Sequence, residues 1–65
     1  MKPNDVYRSN KNSIIVIKEI TQYKTVFGTS YFEDSYRDWQ IGQEHLMCSG
    51  WKLIGTKNEY PEYFL

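Results

Sequence analysis

Apolar and polar positions alternate with a period near two over most of this chain, and short runs of Asn, Ser, Asp, Lys and Gly separate the alternating stretches. That pattern predicts strands joined by tight turns, because successive side chains of a strand point to opposite faces. Asp5-Val6-Tyr7-Arg8 reads as a short first strand, followed by a hairpin loop over Ser9-Asn10-Lys11-Asn12-Ser13. Ile14-Ile15-Val16-Ile17 is apolar without interruption before Lys18-Glu19-Ile20 returns to alternation. Such a segment suits a central strand whose middle is covered on both faces. Residues 21–24 make a second turn, and 25–32 a third strand in which Gly28 marks a bulge or sharp bend. Glu33-Asp34-Ser35 turns the chain into a fourth strand, with Arg37, Trp39 and Ile41 on one face and Tyr36, Asp38 and Gln40 on the other. Trp39 and Phe32 are assigned to the core.

Residues 42–50 carry the one helix-compatible spacing, one or two turns long, with Gly50 placed to end it in a left-handed conformation. Trp51-Lys52-Leu53-Ile54 then reads as a last strand with Trp51 and Leu53 inward. The expected fold is mainly β: a small Src-homology-3-like barrel of four or five antiparallel strands with one short helical turn. The alternative is an open antiparallel sheet with a short helix on one face, since periodicity does not reveal whether the sheet edges meet. Residues 1–55 form the barrel domain, and residues 56–65 an aromatic C-terminal tail broken by Pro61. The tail's rings would waste apolar area in solvent. It is expected to dock either on its own barrel or on a neighbour, in the second case giving a homodimer.

Composition sharpens this picture. The chain has 65 residues and a single cysteine, so neither an internal disulfide nor a four-ligand zinc site of Cys and His can staple it. A domain this small must recruit nearly every large side chain to offset its ordering entropy. The supply is six Tyr, three Phe and two Trp beside a run of Val and Ile, with no alanine. That is more ring area than so small an interior can hold, so several tyrosines are expected at the surface. Tyrosine there combines large contact area, few torsions to freeze and a polar tip, the properties of an interface residue. Residues 1–8 carry no apolar run of signal-peptide length, and Ile14–Ile17 is far too short to cross a bilayer. The expectation is a cytoplasmic protein that does not enter a membrane.

Eight basic and eight acidic residues give zero formal charge, which disfavours bulk polyanion binding. The balance is uneven along the chain: residues 1–30 are net +3 and residues 31–65 net −3. The acidic half is also tyrosine-rich, and Tyr31, Glu33, Asp34, Tyr36, Asp38, Glu59, Tyr60, Glu62 and Tyr63 are the candidate partner-binding residues, suited to a basic protein surface. A nucleic-acid reading would use Tyr31, Phe32, Tyr36 and Trp39 as a stacking platform with Arg37 and Lys24 near phosphates. Glu33, Asp34 and Asp38, interleaved with those rings, oppose it. His45 and Cys48 sit three residues apart and could pair as imidazole and thiol, but catalysis also needs an orienting group, an oxyanion site and a cleft. No catalytic residue, cofactor or metal site is assigned; Cys48 reads as a small buried hydrophobe and His45 as a solvated turn residue.

The layout Lys2-Pro3-Asn4-Asp5-Val6-Tyr7-Arg8, an apolar strand, then a short helical turn before Trp51-Lys52-Leu53-Ile54 resembles small proteins carried by phages and prophages of Gram-positive bacteria. The resemblance spans residues 2–54. It implies a genomic setting in which small accessory proteins bind and block host proteins, components of bacterial immunity among them. Together these readings point to a non-enzymatic module that acts by steric occlusion of a host protein.

Overall fold

The Ile14–Ile20 strand is the hub of the molecule, described by a computed structural model over residues 1–9, 11–47 and 50–64. Its β-branched side chains divide between two sides as the pleat requires. Ile15 and Ile17 point into one apolar cluster and Ile14 and Val16 into another, all four of them buried. Five strands make one antiparallel sheet: β1 (Asp5–Arg8), β2 (Ile14–Ile20), β3 (Thr25–Phe32), β4 (Ser35–Gly42) and β5 (Lys52–Thr56), in the spatial order β4-β3-β2-β1-β5. β4 and β5 are the two edges, so the sheet is open and follows the second of the two expected architectures. The mainly β class, the antiparallel pairing and the short helix, α1 (Gln43–Met47), are as anticipated.

Both sheet faces carry a lid, and that explains why no closure is needed. On one face, Ile15, Ile17 and Val26 pack with Leu46 of α1, flanked by Met1, Tyr7, Ile20, Trp39, Ile41 and Trp51. On the other, Val6, Ile14 and Val16 are covered by Tyr31, Ile54, Tyr60, Tyr63 and Phe64, the last two from a 3₁₀ turn over Pro61–Phe64. Pro61 opens that turn, where its missing N–H costs nothing. The tail therefore lies on its own sheet and forms part of the core. We refer to these as the helix face and the tail face.

Gly28 decides the shape of the helix face. A Cβ there would strike the Val16 carbonyl oxygen and fall 2.7 Å from Trp39 Cζ2, so the missing side chain makes room for the Trp39 ring against β3. The register between β2 and β3 shifts between Ile17 and Glu19, opposite Gly28 and Phe27, leaving Lys18 as the extra residue of a bulge. The irregularity expected at Gly28 is thus real but sits on the neighbouring strand.

Two turns repeat one design. The Ser9 hydroxyl accepts from the backbone N–H groups of Lys11 and Ser13, each at 3.1 Å, and Asn12 adopts a positive φ. The Thr21 hydroxyl accepts from Tyr23 at 3.3 Å and Thr25 at 3.1 Å, and Lys24 adopts a positive φ. In both, a side-chain oxygen satisfies amides that the ladder leaves behind. Three expectations need correction. The last strand runs Lys52–Thr56 instead of ending at Ile54, with Trp51 preceding it. Leu53 was expected inward and is 54% exposed, because β5 is an edge strand whose register shifts against β1. Phe32 was expected in the core and is 50% exposed, at the end of β3 where neither lid reaches.

Candidate functional site

All eleven aromatic residues are described, and none is fully buried. The buried side chains are aliphatic apart from Thr29 and Asp5, while Tyr23, Phe32 and Tyr36 are exposed and the other rings half-buried. A single sheet with a thin lid on each face offers depth for Val and Ile but not for a whole ring. The rings lie instead with one side on apolar surface and one edge toward water.

Four tyrosines run in a chain across the tail face. Tyr31 of β3 pairs in register with Tyr36 of β4, their centroids 6.1 Å apart. Tyr31 meets Tyr63 at 5.0 Å, and Tyr63 meets Tyr60 at 6.3 Å. The Tyr31 hydroxyl donates to the Tyr63 carbonyl oxygen at 2.8 Å and so ties the tail to the third strand. Desolvation on burial, and then the nearby Asp38 carboxylate, raise the Tyr31 phenol above its ordinary value, which keeps it in the donor form that this bond needs.

The tail covers the β1, β2 and β5 side of this face and leaves its β3–β4 side bare. A groove of about 450 Å³ results, lined by Lys18, Thr29, Tyr31, Tyr36, Asp38 and Glu62. Buried Thr29 donates its hydroxyl to Asp38 Oδ1 at 2.6 Å, and Lys18 Nζ stands 3.9 Å from the same oxygen. Lys18 reaches this side by the alternation that also places Ile14 and Val16 there, and the bulge after it returns Ile20 to the helix face. Two carboxylates against one ammonium leave the groove with net negative charge.

Of the nine candidate residues, the structure gathers Tyr31, Tyr36, Asp38 and Glu62 in the groove, with Tyr63 and Tyr60 continuing the ring chain. Glu33 and Asp34 form the two-residue turn just beyond the Tyr31–Tyr36 pair, exposed, with Glu33 at φ 54°. A left-handed conformation costs a non-glycine residue about 1–2 kcal/mol. Glu59 stands apart, its carboxylate beside Gly55 next to the Tyr60 ring. Lys18 and Thr29 were not anticipated. A lysine closing the apolar run Ile14–Ile17 was the available signal, since alternation puts Lys18 on the same face as Ile14 and Val16.

The stacking platform proposed for nucleic acid does not assemble. Tyr31 and Tyr36 are on the tail face, whereas Trp39 lies on the helix face over Gly28 and Phe32 alternates to that same side. His45 is exposed on α1, and Cys48 lies outside the described residues. Among the described residues, no three His, Cys, Asp or Glu side chains gather as a metal-holding group, and no helix is long and apolar enough to cross a membrane. Comparison with protein-family models, with curated proteins and with solved structures gives no match to this chain.

Proposed function

We propose that this protein is a non-enzymatic protein-binding module whose contact surface is the β3–β4 side of the tail face. The observation that carries this reading is the placement of Tyr36. It is 73% exposed, with its ring tilted beside that of Tyr31, lines the groove with Asp38 and Glu62, and follows the Glu33-Asp34 turn closely in the chain. An exposed ring anchored to a second ring, with carboxylates around it, has the make-up of an interface centre for a basic protein surface. The same carboxylates repel a phosphate backbone. Binding there would act by steric occlusion. In the phage or prophage setting that the sequence resemblance implies, the occluded partner is a bacterial host protein, with a defence complex as the most concrete form.

The test is affinity capture from a Gram-positive lysate with the wild-type chain, the Tyr36→Ala variant and the Glu33→Lys/Asp34→Lys variant. The same specific protein should be retained by the wild type and lost by both variants, with melting temperatures unchanged. Tight binding of a random single-stranded oligonucleotide that weakens steeply with salt would instead favour the nucleic-acid reading.

A further inference from the structure

We infer that the groove between the tail and β4 is a guanidinium site, built to take an arginine side chain of the partner; this inference rests on the reading of the tail face as a docking surface. The groove offers what a planar cation needs. The tyrosine rings of Tyr31 and Tyr36, tilted by 33° to one another, form an aromatic wall, and Asp38 and Glu62 contribute carboxylates. Cations are attracted to ring faces, and a guanidinium can lie on a ring while its fork donates to a carboxylate.

Asp38 is prepared for that role. Its side chain is 77% exposed, yet the Thr29 hydroxyl fixes its orientation from the buried side. Both the Thr29 bond and the Lys18 contact fall on Oδ1. A carboxylate has about four lone-pair sites, so capacity remains for an incoming donor.

A second observation also points to a cation: the chain places one of its own among the same residues. Lys18 Nζ lies 3.9 Å from Asp38, at the outer limit of an ion pair, where a half-exposed contact contributes little. A guanidinium, with five donors in a rigid fork and weaker hydration than an ammonium, is suited to displace it. Anions are excluded by the two carboxylates, and an uncharged ligand would leave them unanswered.

The experiment is an amide NMR titration of the full chain with three peptides of sequence acetyl-Gly-Gly-X-Gly-Gly-amide, where X is arginine, lysine or citrulline. The arginine peptide should shift Thr29, Tyr31, Tyr36, Asp38 and Glu62 saturably. The lysine peptide should bind several-fold more weakly, and uncharged citrulline should give no saturable shift. Asp38→Asn and Tyr36→Ala should each lower arginine-peptide affinity by about tenfold. Lys18→Met should raise it, the opposite sign from a merely structural loss. Equal binding of the lysine peptide, shifts outside the groove, or no effect of Asp38→Asn would overturn the guanidinium site. A longer peptide mixing lysine and arginine separates the two levels. If it shifts the tyrosine face without arginine preference, the site fails while the docking surface stands; if it leaves that face unshifted, both fail.

Discussion

The hydroxyl of Tyr31 and the carbonyl of Tyr63, 2.8 Å apart, join two segments separated by half of the chain. One bond thus fixes both the lid on the tail face and the inner wall of the candidate groove. Tyr31→Phe keeps the ring and removes the bond, so stability should fall by about 0.5–1.5 kcal/mol. Hydrogen exchange should show the amides of Glu62, Tyr63 and Phe64 less protected while those of β2 keep their protection relative to global unfolding.

The same residue predicts an alkaline limit. Tyr31 and Tyr7 both have phenol pKa values raised above the ordinary 10.0, chiefly by desolvation, with Asp38 acting on Tyr31 and Asp5 on Tyr7. The folded state therefore holds these protons more tightly than the unfolded state. Their stabilising contribution is fully present below pH 10.0 and is lost as pH rises through the folded-state values. Thermal melts should show a decline beginning above pH 10.0, and Tyr31→Phe should flatten part of it.

Gly28 should tolerate no side chain. In Gly28→Ala the new methyl meets the Val16 carbonyl oxygen, which belongs to the central strand and cannot swing aside, and the Trp39 ring. Overpacking of this kind costs about 1–3 kcal/mol. At roughly 4–8 °C per kcal/mol for a domain of this size, melting should drop by on the order of 10 °C. Trp39 lies in the path of the displacement, so tryptophan emission should shift to the red.

Tyr36 and Tyr60 should separate. Both were expected at the interface, but Tyr60 packs on the Val6, Ile14 and Val16 cluster while Tyr36 stands 73% exposed. Tyr60→Ala should lower the melting temperature clearly, as loss of a half-buried ring does. Tyr36→Ala should leave it within about 0.5 kcal/mol of wild type and act on partner capture alone. Equal melting losses in the two variants would place Tyr36 in the core and remove it from the contact surface.

The apolar residues of β2 and β5 should respond very differently to small changes. Ile17→Val removes one buried methylene and should cost about 0.5–1.5 kcal/mol. Leu53→Thr, on an exposed edge, should change stability by no more than about 0.5 kcal/mol and keeps a side chain suited to a strand. Chemical denaturation of both variants checks the contrast.

Much of this architecture was readable from local pattern. The unbroken Ile14-Ile15-Val16-Ile17 run suits a strand covered on both sides, and the hydroxyls of Ser9 and Thr21 supply turn chemistry without help from distant residues. Alternation in β4 separated Trp39 from Tyr36 and Asp38 before any packing was known. The excess of rings over interior volume was a matter of counting, and it placed tyrosines at the surface. Open edges, the direction of Ile20 and the resting place of the tail were decided by tertiary structure, because each depends on contacts between residues far apart in the chain. Ile20 joins the helix-face cluster only because the bulge adds a residue to β2 opposite Gly28 and Phe27. The tail lies on Val6, Ile14 and Val16 because an open sheet leaves that face uncovered, and its partial coverage leaves the groove beside Tyr36.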